Sequence, residues 1–374
     1  MVQEQLFFIQ ILSDFIHEKK SEVPDELNID VLMHYARMHE MMGITYYQTN
    51  LQQFRNAFFR DVYLYKIRQK ILNDLTATFD FDWFMVKGTE VAKLYPVPEL
   101  RTMGDCDIVV KNREVAHKYF LKQGFENKNQ YCYHEWQYYK MNLEFELHDR
   151  LFYKENTNNH KQEGFFNNFW KYVRNNKLNW NFHFLYLISH LRKHFMYEGV
   201  GFRPFVDIAI VIEKVDLDWE WIKRNAEEIE LLPFLKMVLA LCERWFLVKS
   251  PIEPMELEND FYEASTQRIF ENGIFGHDND DNKQSSIINL YRKKGKLGIA
   301  VSILREFFPS YKFLSSVPKY SFLQGRVYLM PVAWIYRIVS NKKKIVAQLA
   351  SLRKYSVSAK KIKEREEVYS QWRI

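Results

Sequence analysis

The sequence predicts an α+β protein in which a small mixed β-sheet is flanked by helices, with a helical part before it and a larger helical part after it. Short apolar segments with the two-residue period of strands cluster roughly between residues 67 and 150. Elsewhere, apolar residues recur mainly at the spacing of an α-helix. The chain has only 12 glycines and 10 prolines in 374 residues, which favours a largely helical protein over an all-β one.

Four consecutive regions are predicted along the chain. A hydrophobic content of 47% is sufficient for two or three folding units. Polar, glycine- and proline-containing stretches separate the helical segments, and no internal repeat is evident. The regions are an N-terminal helical region at 1–66, the sheet with its helices at 67–150, a helical domain at 151–310, and an aromatic then basic helical tail at 311–374.

Two aspartates are predicted to lie side by side at the start of the second strand. Because side chains alternate along a strand, Asp105 and Asp107 face one side while Cys106 faces the other. Adjacent carboxylates repel each other unless a cation lies between them. Divalent metal ions about 4 Å apart are the usual cations in phosphoryl and nucleotidyl transfer. The pair therefore indicates a metal site for this chemistry.

A strand–helix turn upstream offers groups that bind phosphate. Lys87 supplies a cation, Gly88 allows close approach of the backbone, and Thr89 supplies a hydroxyl. Arg101, in the loop that leads to the aspartates, is either a surface guanidinium or a second cation for a triphosphate. Lys87 ends an apolar strand, so either a bound phosphate or a neighbouring carboxylate is expected to compensate its charge.

The Asp-x-Asp pattern alone carries little information, because it occurs four times. Only the pair at 105 and 107 opens an apolar strand soon after a glycine-containing strand–helix turn. The other three are interpreted as structural: Asp80/Asp82 at the entry to the first strand, Asp216/Asp218 before a helix, and Asp278/Asp280 in a polar loop.

A third carboxylate is predicted on a later strand. Residues 143–148 alternate strictly, so that Glu144, Glu146 and His148 share one face. The partner strand is predicted at 131–139. One interpretation is an edge hairpin with a solvated face. The other places Glu146 beside the aspartates as metal ligand or general base, with His148 close by.

Two histidines four residues apart, His190 and His194, share the face of a predicted helix. Leu191 stands where a zinc protease would need glutamate, which excludes that class. The histidines are either a hydrogen-bonded pair at a domain contact or part of the cleft wall opposite the aspartates, together with Arg192, Arg203 and Asp207.

These motifs together resemble the uncharacterised nucleotidyltransferase family, a branch of the DNA polymerase beta-like nucleotidyltransferase superfamily. The arrangement of Lys-Gly-Thr, arginine and Asp-x-Asp is also similar to the nucleotidyltransferase toxins of abortive-infection systems. The matching residues are Lys87-Gly88, Leu94-Tyr95-Pro96, Arg101, Gly104 to Asp107, Gly124-Phe125, Glu146 to His148, Ser189 to His194, Phe205 to Asp207, Asp218-Trp219, Phe307 to Pro309, and Met330 to Trp334.

The resemblance implies transfer of a nucleoside monophosphate from a nucleoside triphosphate such as ATP to a hydroxyl of an acceptor, with release of pyrophosphate. Asp105 and Asp107, with Glu146, are expected to hold two Mg²⁺ ions. The acceptor remains open among RNA, protein, and sugars or other small molecules. The alternative is a catalytically inactive nucleotide-binding or scaffold protein, possibly at the membrane surface.

Composition indicates a cytoplasmic protein. The three cysteines are dispersed without zinc spacing, a pattern typical of a reducing compartment. No stretch has the roughly 20 apolar residues that span a bilayer, and the N-terminus reads as an amphipathic helix rather than a signal peptide. The net charge of +6 is concentrated near the C-terminus. That tail is either a solvated helix or a weak contact for RNA phosphates or an anionic membrane.

Overall fold

The computed structural model describes residues 1–127, 136–152, 160–197, 199–273 and 318–340, together with Phe308, Ser310, Tyr311 and Leu314. The prediction of a mixed α+β fold is confirmed: one small sheet lies between helical parts on either side of it in the chain. Asp278/Asp280, the proposed strand residues 131–135 and the basic tail beyond 340 lie outside the described residues.

Four helices precede the sheet. Their bounds are α1 at Gln3–Ile16, α2 at Ile29–Met38, α3 at Met42–Thr49 and α4 at Arg55–Thr76. The helix α4 carries the chain to the first strand.

The sheet region alternates short strands with helices. Its elements are β1 at Trp83–Met85, α5 at Gly88–Val91, β2 at Asp107–Val110, α6 at Arg113–Lys122, β3 at Glu126–Asn127, β4 at Trp136–Lys140 and β5 at Leu143–His148. The spatial order is β1-β2-β5-β4-β3. The β2–β5 pair is parallel, and the other three pairs are antiparallel.

Helices dominate the rest of the described chain. They are α7 at His160–Phe166, α8 at Trp180–Tyr197, α9 at Arg203–Lys214, α10 at Trp219–Glu228, α11 at Leu232–Phe246, α12 at Asn259–Asn272 and α13 at Met330–Ser340. A two-stranded ribbon, β6 at Val173–Arg174 and β7 at Lys177–Leu178, precedes α8. None of the described helices is long and apolar enough to cross a lipid bilayer.

Two helices begin at residues whose side chains cap them. The Asn112 side chain accepts hydrogen bonds from two backbone N–H groups at the start of α6, and the Asp218 side chain accepts one from Trp221 at the start of α10. These bonds satisfy donors that a helix leaves without an internal partner. The interpretation of Asp218 as a structural aspartate is therefore confirmed.

Two hydrophobic cores cover the two faces of the sheet. The larger core joins the N-terminal helices to the C-terminal helices, with Phe8 against Phe202 and Phe270, and reaches the sheet at Phe84 and Val109. The smaller core packs α4 and α6 on the opposite face, around residues such as Phe120. Because the 1–66 region shares its core with the C-terminal helices, it does not have a hydrophobic core of its own among the described residues. The division into four regions stays a prediction.

Candidate active site

The centre of the site is a pair of acidic residues on the two parallel strands. Asp107 of β2 is in register with Glu146 of β5. The pairing extends beyond the strand itself, because the Cys106 N–H donates to Glu144 O at 3.1 Å and the Glu146 N–H donates to Cys106 O at 2.8 Å. Neighbouring strands lie about 4.8 Å apart, so this register brings the two carboxylates onto one patch.

Two basic side chains converge on one oxygen of Asp107. Lys87 Nζ lies 2.6 Å from Asp107 Oδ1, and His148 Nε2 lies 3.0 Å from the same atom. Asp107 is only 3% exposed. Burial opposes the ionised carboxyl, but the charges of Lys87 and His148 outweigh it and hold the pKa of Asp107 well below its usual range. Asp107 is therefore an anion in the folded protein.

His148 also contacts the second carboxylate. Its Nε2 lies 3.4 Å from Glu146 Oε2, and the Gln137 amide donates to Glu146 Oε1 at 3.3 Å. Burial disfavours the imidazolium, but hydrogen bonds to Asp107 and Glu146 raise the pKa of His148 to about 9. Burial likewise opposes ionisation of Glu146, whose pKa is nevertheless lowered because His148 donates to it.

The bend that carries Lys87 has an unusual backbone. Lys87 has φ 54° and ψ −131°, and its N–H donates to His183 Nε2 at 2.9 Å. Burial lowers the pKa of His183 to about 3, so its ring is neutral and accepts this bond. His183 was not among the predicted site residues. Its buried position facing the bend is set by α8, and no local pattern in the sequence signals that contact.

Arg101 binds a carboxylate of the helical part. Its Nε and Nη2 donate to Asp207 at 3.1 Å and 2.7 Å, and Tyr95 donates its hydroxyl to the same carboxylate at 2.7 Å. The group that approaches Gly88 closely is this guanidinium: a Cβ at Gly88 would lie 2.2 Å from Arg101 Nη1. Three of the five N–H groups of Arg101 are thus engaged with Asp207 and Thr102 O.

Thr89 and Asp105 lie at different depths. Thr89 is 1% exposed and is not among the residues that line the cavity, which places its hydroxyl away from the cavity surface. Asp105 precedes β2, because the strand begins at Asp107 rather than at 105 as predicted. Asp105 does line the cavity, and the negative charge of Asp107, then burial, raise the pKa of its carboxyl.

A cavity of about 420 Å³ opens between the sheet and the helices α8 and α9. It brings predicted residues from distant parts of the chain onto one surface. The acidic wall holds Asp105 and Asp107, and the helical wall includes Leu187 and Leu191 of α8 and the start of α9. The predicted site residues that line it are Lys87, Gly88, Arg101, Asp105, Asp107, His190, His194, Arg203 and Asp207.

One group of side chains has the donors and spacing for a metal ion. Ligand atoms of Asp107, Glu146 and His148 lie within 4.8 Å of one another. Carboxylate oxygens suit Mg²⁺ and Mn²⁺, and an imidazole nitrogen suits Mn²⁺ better than Mg²⁺. Within the described residues this is the one cluster with three such donors. The donor set therefore fits a divalent cation. His148 is either one of its ligands or, as an imidazolium, the positive charge that stabilises the two carboxylates before the ion binds.

Asp107 lines the cavity, while Glu146 and His148, its neighbours on the adjacent strand, are not among the lining residues. Two acidic residues on adjacent parallel strands, beside a lysine at a strand–helix bend and at the edge of such a cavity, define a candidate phosphoryl- or nucleotidyl-transfer site. The family model described as an uncharacterised nucleotidyltransferase matches residues 25–247, which is more than half of the chain. The protein belongs to this family. The match includes the whole sheet and the helices α8 to α10. Comparisons with curated proteins and with solved structures give no match.

Proposed function

We propose that the protein is a metal-dependent nucleotidyltransferase that moves a nucleoside monophosphate from a triphosphate to an acceptor hydroxyl and releases pyrophosphate. The observation that carries the proposal is the cluster of Asp107, Glu146 and His148 beside Lys87, in a chain of this family. The carboxylates of Asp107 and Glu146 would hold the ion, and Asp105 at the cavity surface would hold a second one.

When bound, divalent ions supply charge stabilisation for the attacking and leaving oxygens of an in-line displacement. The protein's own side chains would bind the cation and the triphosphate for that displacement. Asp107 is kept ionised by its two basic neighbours, so its oxygens can bind a cation at neutral pH. Lys87 supplies an ammonium for the triphosphate, since its side chain already lies at the cavity beside the acidic wall.

His148 has a positioning role in this proposal. As an imidazolium it holds Asp107 and Glu146 together and limits their mutual repulsion. Glu146, the third carboxylate, is the group we assign as further ligand or as base for the acceptor hydroxyl. Arg101 and Asp207 form a buried ion pair that supports the Gly88 bend, and the positive charge of Arg101 still borders the cavity.

The test is transfer of label from each of four α-labelled nucleoside triphosphates into fractions of a cell extract, with Mg²⁺ or Mn²⁺. Treating the labelled product with ribonuclease or with protease separates RNA, protein and small-molecule acceptors. We expect label incorporation and pyrophosphate release, both lost in Asp107→Asn. The matched control is Asp82→Asn, because Asp82 belongs to another Asp-x-Asp pair and its side chain is 60% exposed.

Two results would contradict the proposal. Full transfer by folded Asp107→Asn protein would remove the metal assignment. Nucleotide binding without pyrophosphate release, in every extract tested, would instead favour the scaffold alternative.

A second candidate role concerns a membrane surface. On α13 and just before it, Tyr328, Val332 and Ile335 are 75%, 54% and 64% exposed and recur at the spacing of one helix face. The sequence after this helix is lysine-rich. We propose that the exposed face of α13 and the lysine-rich sequence after it together contact anionic lipid. Deletion of residues 341–374 should abolish co-sedimentation with phosphatidylglycerol vesicles, and unchanged partitioning would exclude the role.

A further inference from the structure

A pair of histidines on the helical wall of the cavity is not used by the proposed transfer. His190 and His194 lie one turn apart on α8, and both line the cavity. Their Nε2 atoms are 2.8 Å apart, with ring centroids separated by 4.3 Å. Two imidazole nitrogens therefore converge on one point at the cavity surface.

The protonation state suits metal binding. Burial, then the positive charges of Lys87 and His194, lower the pKa of His190 well below its ordinary value. His190 is therefore neutral at pH 7, and the neutral imidazole is the form that ligates metals. In the present contact one Nε2–H donates to the other Nε2 lone pair. Both Nε2 lone pairs become available to a metal ion when both rings are neutral and each carries its hydrogen on Nδ1. Where a ring is charged, metal binding releases its proton.

The spacing of the nitrogens suits one ion. Zinc–nitrogen bonds are about 2.0–2.1 Å long, so two ligands of a tetrahedral ion are about 3.3 Å apart. The observed 2.8 Å contact needs to open by about 0.5 Å, which small side-chain rotations provide.

We propose that His190 and His194 form a two-histidine site for a borderline transition metal such as Zn²⁺, separate from the carboxylate cluster around Asp107. Within the described residues, the group with three donors is Asp107, Glu146 and His148, so the histidine pair is an open chelate. Its other positions face the cavity and are available to water or to an anionic group of a bound molecule. Open positions are typical of catalytic rather than structural zinc sites.

Besides burial, the positive charges of Lys87, His194, Lys193 and His148 lower the pKa of His190, so a metal ion at this point binds against them. The carboxylate of Asp107 compensates two of these charges, Lys87 at 2.6 Å and His148 at 3.0 Å. Asp105 lines the same cavity and adds a further negative charge. The two proposed sites differ in donor type: carboxylate-rich for Mg²⁺ or Mn²⁺, and all-nitrogen for Zn²⁺ or Co²⁺.

The test is calorimetric titration of Zn²⁺ into full-length protein stripped with a chelator, with excess Mg²⁺ present to occupy the carboxylate cluster. We expect one Zn²⁺ per chain, with affinity at least tenfold weaker in His194→Ala and in His190→Ala. The matched control is His160→Ala, since the His160 side chain is 71% exposed and lies outside the cavity. Unchanged affinity in both cavity variants would overturn the proposal.

A second measurement does not depend on how the cavity variants fold. Cu²⁺ bound to His148→Ala protein, whose histidine pair is intact, should show electron spin echo modulation from two imidazoles. Coordination of one imidazole or none would overturn the proposal. The two sites can be tested separately. Asp107→Asn should abolish transfer while one Zn²⁺ per chain still binds, with a lower affinity because Lys87 and His148 lose their compensating carboxylate. Loss of Zn²⁺ binding alone would leave the transferase proposal standing.

Discussion

Replacing Gly88 with alanine should destabilise the protein through an ion pair that lies beyond the turn itself. The added Cβ would lie 2.2 Å from Arg101 Nη1 and 2.9 Å from Arg101 Cζ. Ordinary contact begins near 3.4 Å, so the guanidinium must retreat by more than 1 Å. An arginine with a free end would do this at little cost. Here the end is held by Asp207, at 3.1 Å and 2.7 Å.

The expected cost follows from those two bonds. A hydrogen bond to a charged group contributes about 1.5–3 kcal/mol, and a displaced pair re-forms only in part. We therefore expect Gly88→Ala to lower the free energy of unfolding by about 2–4 kcal/mol. Gly104→Ala is the matched control, because Gly104 lines the same cavity and a Cβ there would meet no atom within 4 Å. Its effect should stay below about 0.5 kcal/mol.

The assay is urea unfolding at pH 7, followed by tryptophan fluorescence and circular dichroism. Arg101→Ala provides the second arm of a double-mutant cycle, since it removes the group that the new methyl would strike. In that background Gly88→Ala should cost less than about 1 kcal/mol. Equal midpoints for Gly88→Ala and Gly104→Ala, or an undiminished cost in the Arg101→Ala background, would refute the reasoning.

Two further predictions concern pH and helix capping. The pKa of His148 is about 9 in the folded protein, above its ordinary value, so its stabilisation is complete below pH 6.5 and is lost as the pH rises through 9. This stabilisation amounts to at most about 3 kcal/mol. In His148→Gln the free energy of unfolding should fall less steeply between pH 7 and 9 than in the wild type. An unchanged slope in the variant would assign the pH dependence to other groups. Asp218→Ala should remove the cap of α10 and cost about 1 kcal/mol in urea unfolding, while label transfer stays unchanged; no loss of stability would show that the cap is energetically silent.

The helical part was predictable because its signals are local. Apolar residues recur at the spacing of a helix in residues 182–197, 204–214, 219–230 and 231–248. The helices α8 to α11 occupy nearly those ranges. The strand β5 also matches its alternating pattern, with Leu143 and Phe145 buried. The predicted start of β2 is two residues too early, because Asp105 and Cys106 continue the alternation of polar and apolar residues that is typical of a strand. Only the pairing with β1 and β5 decides where the strand begins.

The site could be predicted from the sequence where the residue type alone indicates its chemical role. The alternatives for Lys87 included a carboxylate neighbour, and the structure gives it Asp107. The contacts of Arg101 with Asp207 and of the Lys87 N–H with His183 span 106 and 96 positions of the chain. Such contacts depend on how α8 and α9 pack over the sheet, which no pattern within a single segment records. The contact with Asp207 means that the guanidinium of Arg101 already has a carboxylate partner.

At Lys87, the conformational cost of the backbone can be measured separately from the contribution of the side-chain ammonium. A positive φ at a residue with a Cβ costs about 1–3 kcal/mol, and glycine avoids most of that cost. Lys87→Gly and Lys87→Ala both delete the ammonium, yet only glycine relaxes the main chain. The difference between their free energies of unfolding therefore measures the cost of a positive φ at a residue with a Cβ at this bend. The Lys87→Gly variant should be the more stable of the two.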